Sequence, residues 1–350
     1  MKPTITIRQL AKEVGLSPTT VSMVLNASAS ARNIPEKTKQ RVRDAAKALG
    51  YTPNPFARSL FSKRSASVAI LLSDLTDPFC TTVLKGICSS LHSSHYIPVL
   101  LDIDNSRAKF KDNVRKLIDR RIEGIICVAN SVLLQTEPMT TVKKSGMPIV
   151  LIARDMEGTD ISSVSIKSRE GTYLAMEHLY ALGHRAIAFI KGPSDIVDSI
   201  DKWEGIVTFA AEAGLAIDPE LVVQMRPPGT SYEAGFIAAQ EILRRKRDFT
   251  ALLTFDDVSA FGAIRALTQA GRNVPGDCSV VGFDDVTLAT FYNPPLTTIR
   301  QPMEVLGSSA VEIFLELADS FFENRSIAPI HRKVEPKLIV RESTAQCPAR

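Results

Sequence analysis

The stretch from Thr6 to Asn26 constrains the fold most, because its apolar spacing suits two short helices separated by a tight turn. Ile7, Leu10, Ala11 and Val14 follow the i, i+3, i+4, i+7 spacing of a single buried helix face. The first seven or eight residues of this stretch are therefore predicted to form an amphipathic helix. Its polar side would face solvent or a partner.

A second helix is predicted to begin almost at once. Gly15 suits a left-handed stop, and Ser17 and Pro18 suit the N-cap and first helical position. The second buried face is formed by Val21, Val24 and Leu25. Two helices around so short a turn indicate a helix-turn-helix, whose second helix enters the major groove of DNA. An ordinary helical hairpin is the alternative.

Charge favours the DNA-binding interpretation. Residues 1–66 contain twelve lysines and arginines against three acidic residues, a net charge of +9, whereas the rest of the chain carries −5. A basic segment that coincides with a helix-turn-helix is typical of a module that contacts phosphates. A merely solvated charged surface remains the other interpretation.

A third helix and a proline-containing segment follow. Pro35 and Gly50 bracket the helix. Its apolar face consists of Thr38, Val42, Ala45, Ala46 and Leu49. Residues 52–66 then offer only one or two helical turns from Asn54, too few to be stable alone in water.

From residue 67 the pattern alternates between strand and helix, which predicts two doubly wound α/β lobes with a ligand site between them. Buried parallel strands are predicted at 67–73, 96–101, 124–129, 148–152, 186–190, 221–225, 250–255 and 278–283. Helices are predicted near 79–93, 108–121, 169–182, 198–213, 231–245 and 258–271.

Composition excludes several classes of protein. The chain of 350 residues is 45% hydrophobic and 23% charged, as in folded globular proteins. It shows neither a signal peptide nor an apolar run long enough to span a membrane, so we expect a cytoplasmic protein. Its five cysteines are widely spaced, which favours reduced thiols over disulfides or zinc. We expect no cofactor and no metal.

Over nearly its whole length the sequence resembles the lactose-repressor (LacI-type) family of bacterial transcription regulators. The resemblance rests on TTVSMVLN and IPEKTKQRVRDAAKALGYTPNPFARSL near the start, then on SDLTDPF, LGHRAIAFIKGP, FDDVSAFGAIRAL, VGFDD and PPLTTIRQP. It implies a helix-turn-helix headpiece and a body of two doubly wound lobes similar to periplasmic binding proteins. It also implies a homodimer or tetramer that binds a pseudo-palindromic operator and responds to a small sugar-like effector.

The domain boundaries follow from this resemblance. We expect the headpiece at 1–51, a hinge at 52–66 and an effector-binding and dimerisation body at 67–350. Within the body, the lobes are predicted at about 67–166 with 298–328, and at 167–297 with 329–342. In the family the hinge folds on DNA and inserts a leucine into the minor groove, a role that falls here on Leu60; simple packing of Leu60 against the body is the alternative. The residues expected at DNA are Thr6, Ser17, Pro18, Thr19, Thr20, Ser22, Met23, Asn26, Asn54, Ala57, Arg58 and Leu60.

Some positions depart from the family pattern. Met23 replaces a frequent arginine or histidine, which suits a thymine methyl group and changes the expected operator. Lys202 stands where many relatives have an arginine that reaches the ligand, and lysine lacks the planar fork of arginine. Lys167 and Ser168 occupy a position where two polar acid or amide residues are common.

Three aspartates, Asp74, Asp257 and Asp284, each closely follow an apolar strand, which places their carboxylates at one cleft. Carboxylates accept paired hydrogen bonds from sugar hydroxyls. We therefore expect an effector site of Asp74, Phe79, Lys202, Asp257 and Asp284, with Trp203 and Phe255 as further apolar walls. The alternatives are that the aspartates cap helices and that the aromatic residues belong to the core.

An enzyme is the competing class. Asp102 and Asp104 follow a strand as a phosphate-transferring aspartyl nucleophile would, but the expected Gly-Thr is missing. Nucleotide-binding glycine loops and a Gly-x-Ser-x-Gly motif are absent, and the histidines lack metal-ligand spacing. A third class, an exported ligand-binding protein, does not fit, because the sequence shows no signal peptide and begins with a basic segment. We expect a regulator and no enzyme.

Overall fold

The computed structural model describes residues 5–25, 29–51, 64–128, 142, 145–194, 196–226 and 231–348. The predicted hinge helix, with Asn54, Ala57, Arg58 and Leu60, lies outside these residues, as does Asn26. The chain divides into two compact units, Met1–Ser65 and Ala66–Arg350, which are called the headpiece and the body below.

The headpiece contains helices α1 (Ile7–Glu13), α2 (Pro18–Leu25) and α3 (Glu36–Ala48), with a 3-10 helix at Ala29–Asn33 between the last two. Thr6 caps α1 reciprocally: its hydroxyl accepts from Gln9 N at 3.3 Å, and its backbone N–H donates to Gln9 Oε1 at 2.8 Å. Gly15 has φ +60°, which allows the predicted turn.

A small apolar core holds the three helices together. It consists of Leu10, Ala11, Val14, Val21, Val24, Val42 and Ala46. Arg41 of α3 adds a polar link by donating to the carbonyl of Val14 at 2.9 Å. The buried faces of α1 and α2 predicted from helical spacing are therefore the ones that pack.

The first lobe of the body is built on a parallel six-stranded sheet. Its strands are β1 (Ser67–Leu72), β2 (Ile97–Asp102), β3 (Ile125–Val128), β4 (Ile149–Ile152), β5 (Ser162–Ile166) and β11 (His331–Val334), in the order β11-β5-β4-β3-β1-β2. Helices α4 (Pro78–Leu91), α5 (Arg107–Asp119) and α11 (Met303–Phe322) cover it. The apolar residues of β1, β3 and β4 are buried, as expected of central parallel strands.

The second lobe has a six-stranded sheet in the order β12-β10-β9-β8-β6-β7. Its strands are β6 (Ile187–Lys191), β7 (Val222–Gln224), β8 (Ala251–Thr254), β9 (Ser279–Asp284), β10 (Thr297–Arg300) and β12 (Lys337–Ile339). Its helices are α6 (Ser168–Ala181), α7 (Asp198–Glu212), α8 (Tyr232–Arg244), α9 (Asp257–Gln269) and α10 (Thr287–Phe291). Only β12 among these strands runs antiparallel to its neighbour.

The chain passes between the lobes three times, after β5, β10 and β11. These crossings differ from the predicted lobe boundaries at two strands. Residues 298–300 were assigned to the first lobe, but β10 pairs with β9 of the second. Residues 329–334 were assigned to the second lobe, but β11 pairs with β5 of the first. Hydrogen bonding between strands distant in sequence decides both placements, and such pairing cannot be predicted from a local sequence pattern.

Strand β2 was predicted to be buried, and that prediction is wrong. The strand lies at the edge of its sheet, and Ile97 and Leu100 are 65% and 42% exposed. Pro98 explains the position, because proline cannot donate a hydrogen bond to a second neighbouring strand.

Helices α4 and α11 approach unusually closely in the first lobe. A Cβ atom on Gly86 would overlap the carbonyl of Glu304, and one on Gly307 would overlap the carbonyl of Val83. The two backbones therefore touch, and the contact requires glycine on both helices. Among the helices of the described ranges, none has the length and apolar character needed to cross a lipid bilayer.

Candidate DNA-binding face and effector cleft

The outward face of α2 is polar and uncharged. Val21 and Val24 point into the headpiece core, which leaves Ser17, Pro18 and Thr19 exposed. Thr20, Ser22 and Met23 are half-buried on the flanks of this face. Ser17 caps the helix by accepting from the backbone N–H of Thr20 at 3.1 Å. Short side chains on the exposed face would allow close approach to base edges.

Asp284 ends β9 and occupies an unusual backbone conformation, with φ +121°. It is 6% exposed, and one carboxylate oxygen accepts from the side-chain amide of Gln301. Burial raises the pKa of Asp284 well above its usual range, and the positive charge of Lys202 offsets only part of this effect. Strain together with a buried carboxyl group is typical of a binding site.

Lys202, on α7, supplies a positive charge next to these acids. Its Nζ lies 3.0 Å from Asp198 Oδ2 and donates to the carbonyl of Phe255 at 3.0 Å. The same atom lies 4.1 Å from the ring centroid of Phe255 and 3.8 Å from that of Phe283. Burial lowers the pKa of Lys202, but Asp198 and then Asp284 outweigh it and keep the amine protonated. With two of its donors occupied, Lys202 is placed to organise the site as much as to contact a ligand.

The placement of Asp257 does not fit the predicted direct contact with an effector. The residue is fully buried, Thr298 Oγ1 donates to one carboxylate oxygen, and the backbone N–H of Val286 donates to the other at 2.8 Å. Burial raises the pKa of Asp257 to about 8. Asp257 thus joins α9 to β10 and to the loop after β9, and it acts as an internal support.

Its neighbour Asp256 has the helix-capping role that was the alternative for the predicted acids. Asp256 Oδ1 accepts from the backbone N–H of Ser259 at 2.8 Å and from its hydroxyl at 2.6 Å. One carboxylate oxygen is engaged in this way, while the side chain remains close enough to Asp284 and Lys202 to influence their pKa values.

The first lobe contributes residues that follow β1. Asp74 Oδ1 accepts from the backbone N–H and the hydroxyl of Thr76 at 2.7 and 2.6 Å, which closes a turn. Phe79 lies in the first turn of α4 and packs partly buried against the core. Asp77 caps this helix by accepting from Phe79 N at 2.8 Å.

Asp77 shows that the two lobes bring acidic groups together. The pKa of Asp77 is raised to about 7, chiefly by burial and also by the negative charges of Asp256 and Asp74, while the hydrogen bond from Phe79 N and the charge of Lys202 lower it. Because Asp256 and Lys202 belong to the second lobe, the end of β1 faces the Asp284 cluster.

Three acidic residues of the cleft were not predicted from the sequence, namely Asp77, Asp198 and Asp256. The sequence does contain a signal for two of them. Asp77 precedes a proline at a predicted helix start, which indicates an N-cap, and Asp198 lies four residues before Lys202, which is the spacing of an ion pair on one helix face.

The aromatic residues near Lys202 are packed. The space lined by Lys202, Trp203 and Phe255 is about 20 Å³, enough for one water molecule. Trp203 meets Phe189 edge-on with ring centroids 5.7 Å apart. This packing favours the alternative that Trp203 and Phe255 belong to the core.

Two family descriptions match the sequence. "Bacterial regulatory proteins, lacI family" covers residues 6–54. "Periplasmic binding protein-like domain" covers residues 176–344.

Individual relatives match nearly the whole chain. The transcriptional repressor PurR of Aliivibrio fischeri strain MJ11 is 31% identical over 97% of this chain and 98% of its own length. The regulator GalR of Escherichia coli K12 is 30% identical over 97% and 96%.

Solved structures agree with the sequence comparisons. The lac repressor dimer bound to operator and the anti-inducer ONPF has a TM-score of 0.83 at 26% identity, with 98% of this chain and 100% of that chain covered. The complex of the regulator CelR with cellobiose has a TM-score of 0.72 at 27% identity, with 97% and 99% covered.

Proposed function

We propose, from the premise that this chain belongs to the LacI family of bacterial regulatory proteins, that two copies bind a pseudo-palindromic DNA operator under the control of a sugar-like effector. The family places it among ligand-responsive, DNA-binding transcription regulators. The boundaries at 1–51, 52–66 and 67–350 are part of this proposal.

The observation that carries DNA binding is the construction of the headpiece. Thr6 and Ser17 cap its two helices, Gly15 makes the turn, and Thr19 and Met23 occupy the outward side of α2. Residues 1–66, with a net charge of +9, provide the attraction to phosphates that a mildly acidic body lacks. Base preference is expected to come from Thr19 and Met23 and overall affinity from the basic residues.

Pairing of two chains is supported by apolar side chains that the isolated body leaves exposed. On the second lobe, Phe261 of α9 stacks with Tyr232 at a centroid distance of 6.2 Å and contacts Tyr292 at 4.5 Å, which joins α8 to the α10 region. The exposed apolar side chains carried by α8 and α10 are Tyr232, Ile237, Leu288 and Phe291. We expect a second copy of this chain to cover these side chains, because an operator with two-fold symmetry requires two copies of the protein.

The effector is assigned to the cleft where Asp284, Asp77 and Asp256 face one another. Three carboxyl groups gathered at one place suit a ligand that offers several hydroxyl donors. Lys202 would hold these acids close together by offsetting their mutual repulsion. One structural relative, CelR, is described in complex with cellobiose, which agrees with a sugar-like ligand.

Regulation is proposed to act through the hinge. Asn54, Ala57, Arg58 and Leu60 lie outside the described residues, and the minor-groove wedge of Leu60 stays a prediction. A segment that folds only on DNA would be sensitive to any change in the body that alters hinge spacing.

The test begins by selecting bound duplexes from a random library with the full-length protein. Fluorescence anisotropy on the selected duplex should show binding that falls steeply with salt. Leu60→Ala should weaken binding to this duplex and leave binding to a scrambled duplex nearly unchanged.

Matched variants separate the contacts. Lys37→Gln should weaken both duplexes alike, Met23→Ala should change base preference on repeated selection, and Arg115→Gln, on the exposed side of α5, should match wild type. Failure of the selection to enrich any sequence would refute operator recognition. Equal loss on both duplexes in Leu60→Ala would refute the wedge.

A further inference from the structure

At the carboxyl edge of the first sheet, two buried hydrogen-bond donors have no partner among the residues that the structure describes. Arg154 follows β4 by two residues, and its Nη1 is buried without a hydrogen-bond partner among the described residues. Ser168 begins α6, is 4% exposed, and its hydroxyl is likewise unpaired within the described ranges. Buried donors are normally satisfied, so two exceptions in one region require an explanation.

Strand register places the two donors at the same edge of the first sheet. Strands β4 and β5 run parallel with Ile152 opposite Val164, and the pairing continues as Ala153 N donates to the carbonyl of Val164 at 3.0 Å. Strand β4 ends at Ile152, the chain turns at Ala153 (φ +70°), and Arg154 follows. Strand β5 ends at Ile166, two residues before Ser168. Both donors thus lie where the first lobe ends and the first crossing leads into α6.

Ser168 also marks the positive end of a long helix. Helix α6 has 14 residues, and the N-cap residue Lys167 makes no side-chain capping hydrogen bond. Thr172, one turn into α6, donates to the carbonyl of Lys202 at 2.9 Å, which fixes this end of the helix beside the acidic cluster of the cleft. Free backbone N–H groups and the helix dipole favour an anion at such a position.

Nearby carboxylates already have their own cations. Lys167 Nζ lies 2.6 Å from Glu335 and 3.4 Å from Glu170, and Lys333 lies 2.8 Å from Asp155. Burial lowers the pKa of Arg154, and within the described part of the chain no carboxylate counteracts this. A half-buried guanidinium without a counter-ion destabilises the ligand-free protein, and an incoming anion would relieve this.

We propose that Arg154 and Ser168, at the N-terminal end of α6, form a subsite for an anionic group on the effector, either a phosphate or a carboxylate. This inference rests on the proposed function, because it assigns one end of the ligand bound in the cleft. The planar guanidinium of Arg154 suits both a phosphate and a carboxylate, because either group can place two oxygens in the plane of the guanidinium. The effector class is then a sugar phosphate or a sugar acid, with hydroxyls directed toward Asp77, Asp256 and Asp284.

The test is titration calorimetry on the full-length protein at constant ionic strength. The probes are glucose, glucose 6-phosphate, glucuronate, ribose, ribose 5-phosphate and inorganic phosphate. At least one anionic probe should bind wild type and the Arg115→Gln control, and its affinity should fall roughly tenfold or more in Arg154→Gln. Ser168→Ala should lose roughly fivefold. The phosphate and carboxylate probes distinguish the two sources of the anion.

Thermal unfolding without ligand provides an independent readout. Arg154→Gln should melt at the wild-type temperature or above it, because it removes an unpaired buried charge. A clear decrease would mean that Arg154 has a structural partner, and it would overturn the proposal. Equal affinity for neutral and anionic probes, unchanged anion affinity in Arg154→Gln, or no binding of any anionic probe would also overturn it.

The same measurements separate this inference from the proposed function. If a neutral sugar binds wild type and Arg154→Gln equally and alters operator affinity, the anionic subsite is wrong and the regulator remains. If no duplex is selected by the full-length protein, the proposed function itself fails, whatever the anion measurements show.

Discussion

Replacing Lys202 by methionine should destabilise the body strongly. The substitution keeps most of the side-chain volume but removes the ammonium group, which lies 3.0 Å from Asp198 Oδ2 and 3.0 Å from the carbonyl of Phe255. Asp198 is 8% exposed and would remain as a buried carboxylate without a cation. Breaking one side of a buried ion pair costs about 3–5 kcal/mol.

This loss can be measured by thermal unfolding. For a domain of this size a change of 1 kcal/mol shifts the melting temperature by about 2 °C, so Lys202→Met should lower it by roughly 6–10 °C. Lys191→Met is the matched control, because Lys191 Nζ lies 4.3 Å from the ring centroid of Trp203. Loss of such a partly exposed cation–π contact should cost about 0.5–1 kcal/mol.

A double-mutant cycle decides whether the ion pair is the cause. Lys202→Met combined with Asp198→Asn should lose clearly less stability than the two single variants added together, because the double variant no longer leaves Asp198 as a buried carboxylate beside an absent cation. Additive losses would show that packing of the lysine stem, and not its charge, stabilises the site. A Lys202→Met protein as stable as wild type would refute the reasoning altogether.

Two further predictions concern pH and packing. Because the pKa of Asp77 is raised to about 7, its contribution to stability is greatest at low pH and is lost as pH rises through neutrality. Asp77→Asn should therefore reduce the decrease in melting temperature between pH 5 and pH 8, and identical profiles would contradict this. Gly86→Ala should lower the melting temperature by several degrees, because the new methyl group would overlap the backbone of α11. Gly276→Ala, where a Cβ meets only ordinary contacts, should have little effect, and equal melting temperatures for both variants would refute the close helix contact.

The parts of the fold that sequence predicts well are those specified locally. Helical spacing, two caps and a glycine determine α1 and α2, and alternating strands and helices identify the body. Burial of β2 was predicted wrongly because its apolar residues resemble those of a central strand, although Pro98 already indicated an edge. The lobe assignment of His331–Val334 depends on pairing with β5, a contact between segments more than 160 residues apart.

The cleft was only partly predictable for a related reason. Sequence places Asp256 and Asp257 together after β8, and both are acidic, so their roles differ only through backbone geometry. Asp256 caps α9, whereas Asp257 points inward to Thr298 and the backbone of Val286. The lack of a partner for Arg154 Nη1 and the Ser168 hydroxyl among the described residues depends on three-dimensional packing, which no sequence motif indicates.

The three crossings between the lobes have a consequence for how the chain is made. The headpiece core comes entirely from residues 10–46, so it can form while most of the protein is still being synthesised. The first sheet lacks β11 and its covering helix α11 until residues 303–334 have left the ribosome. The second sheet lacks β12 until slightly later. A nascent or truncated chain ending near residue 300 would therefore carry a complete headpiece and two incomplete lobes. Such a chain could still contact DNA, but no ligand could regulate that contact.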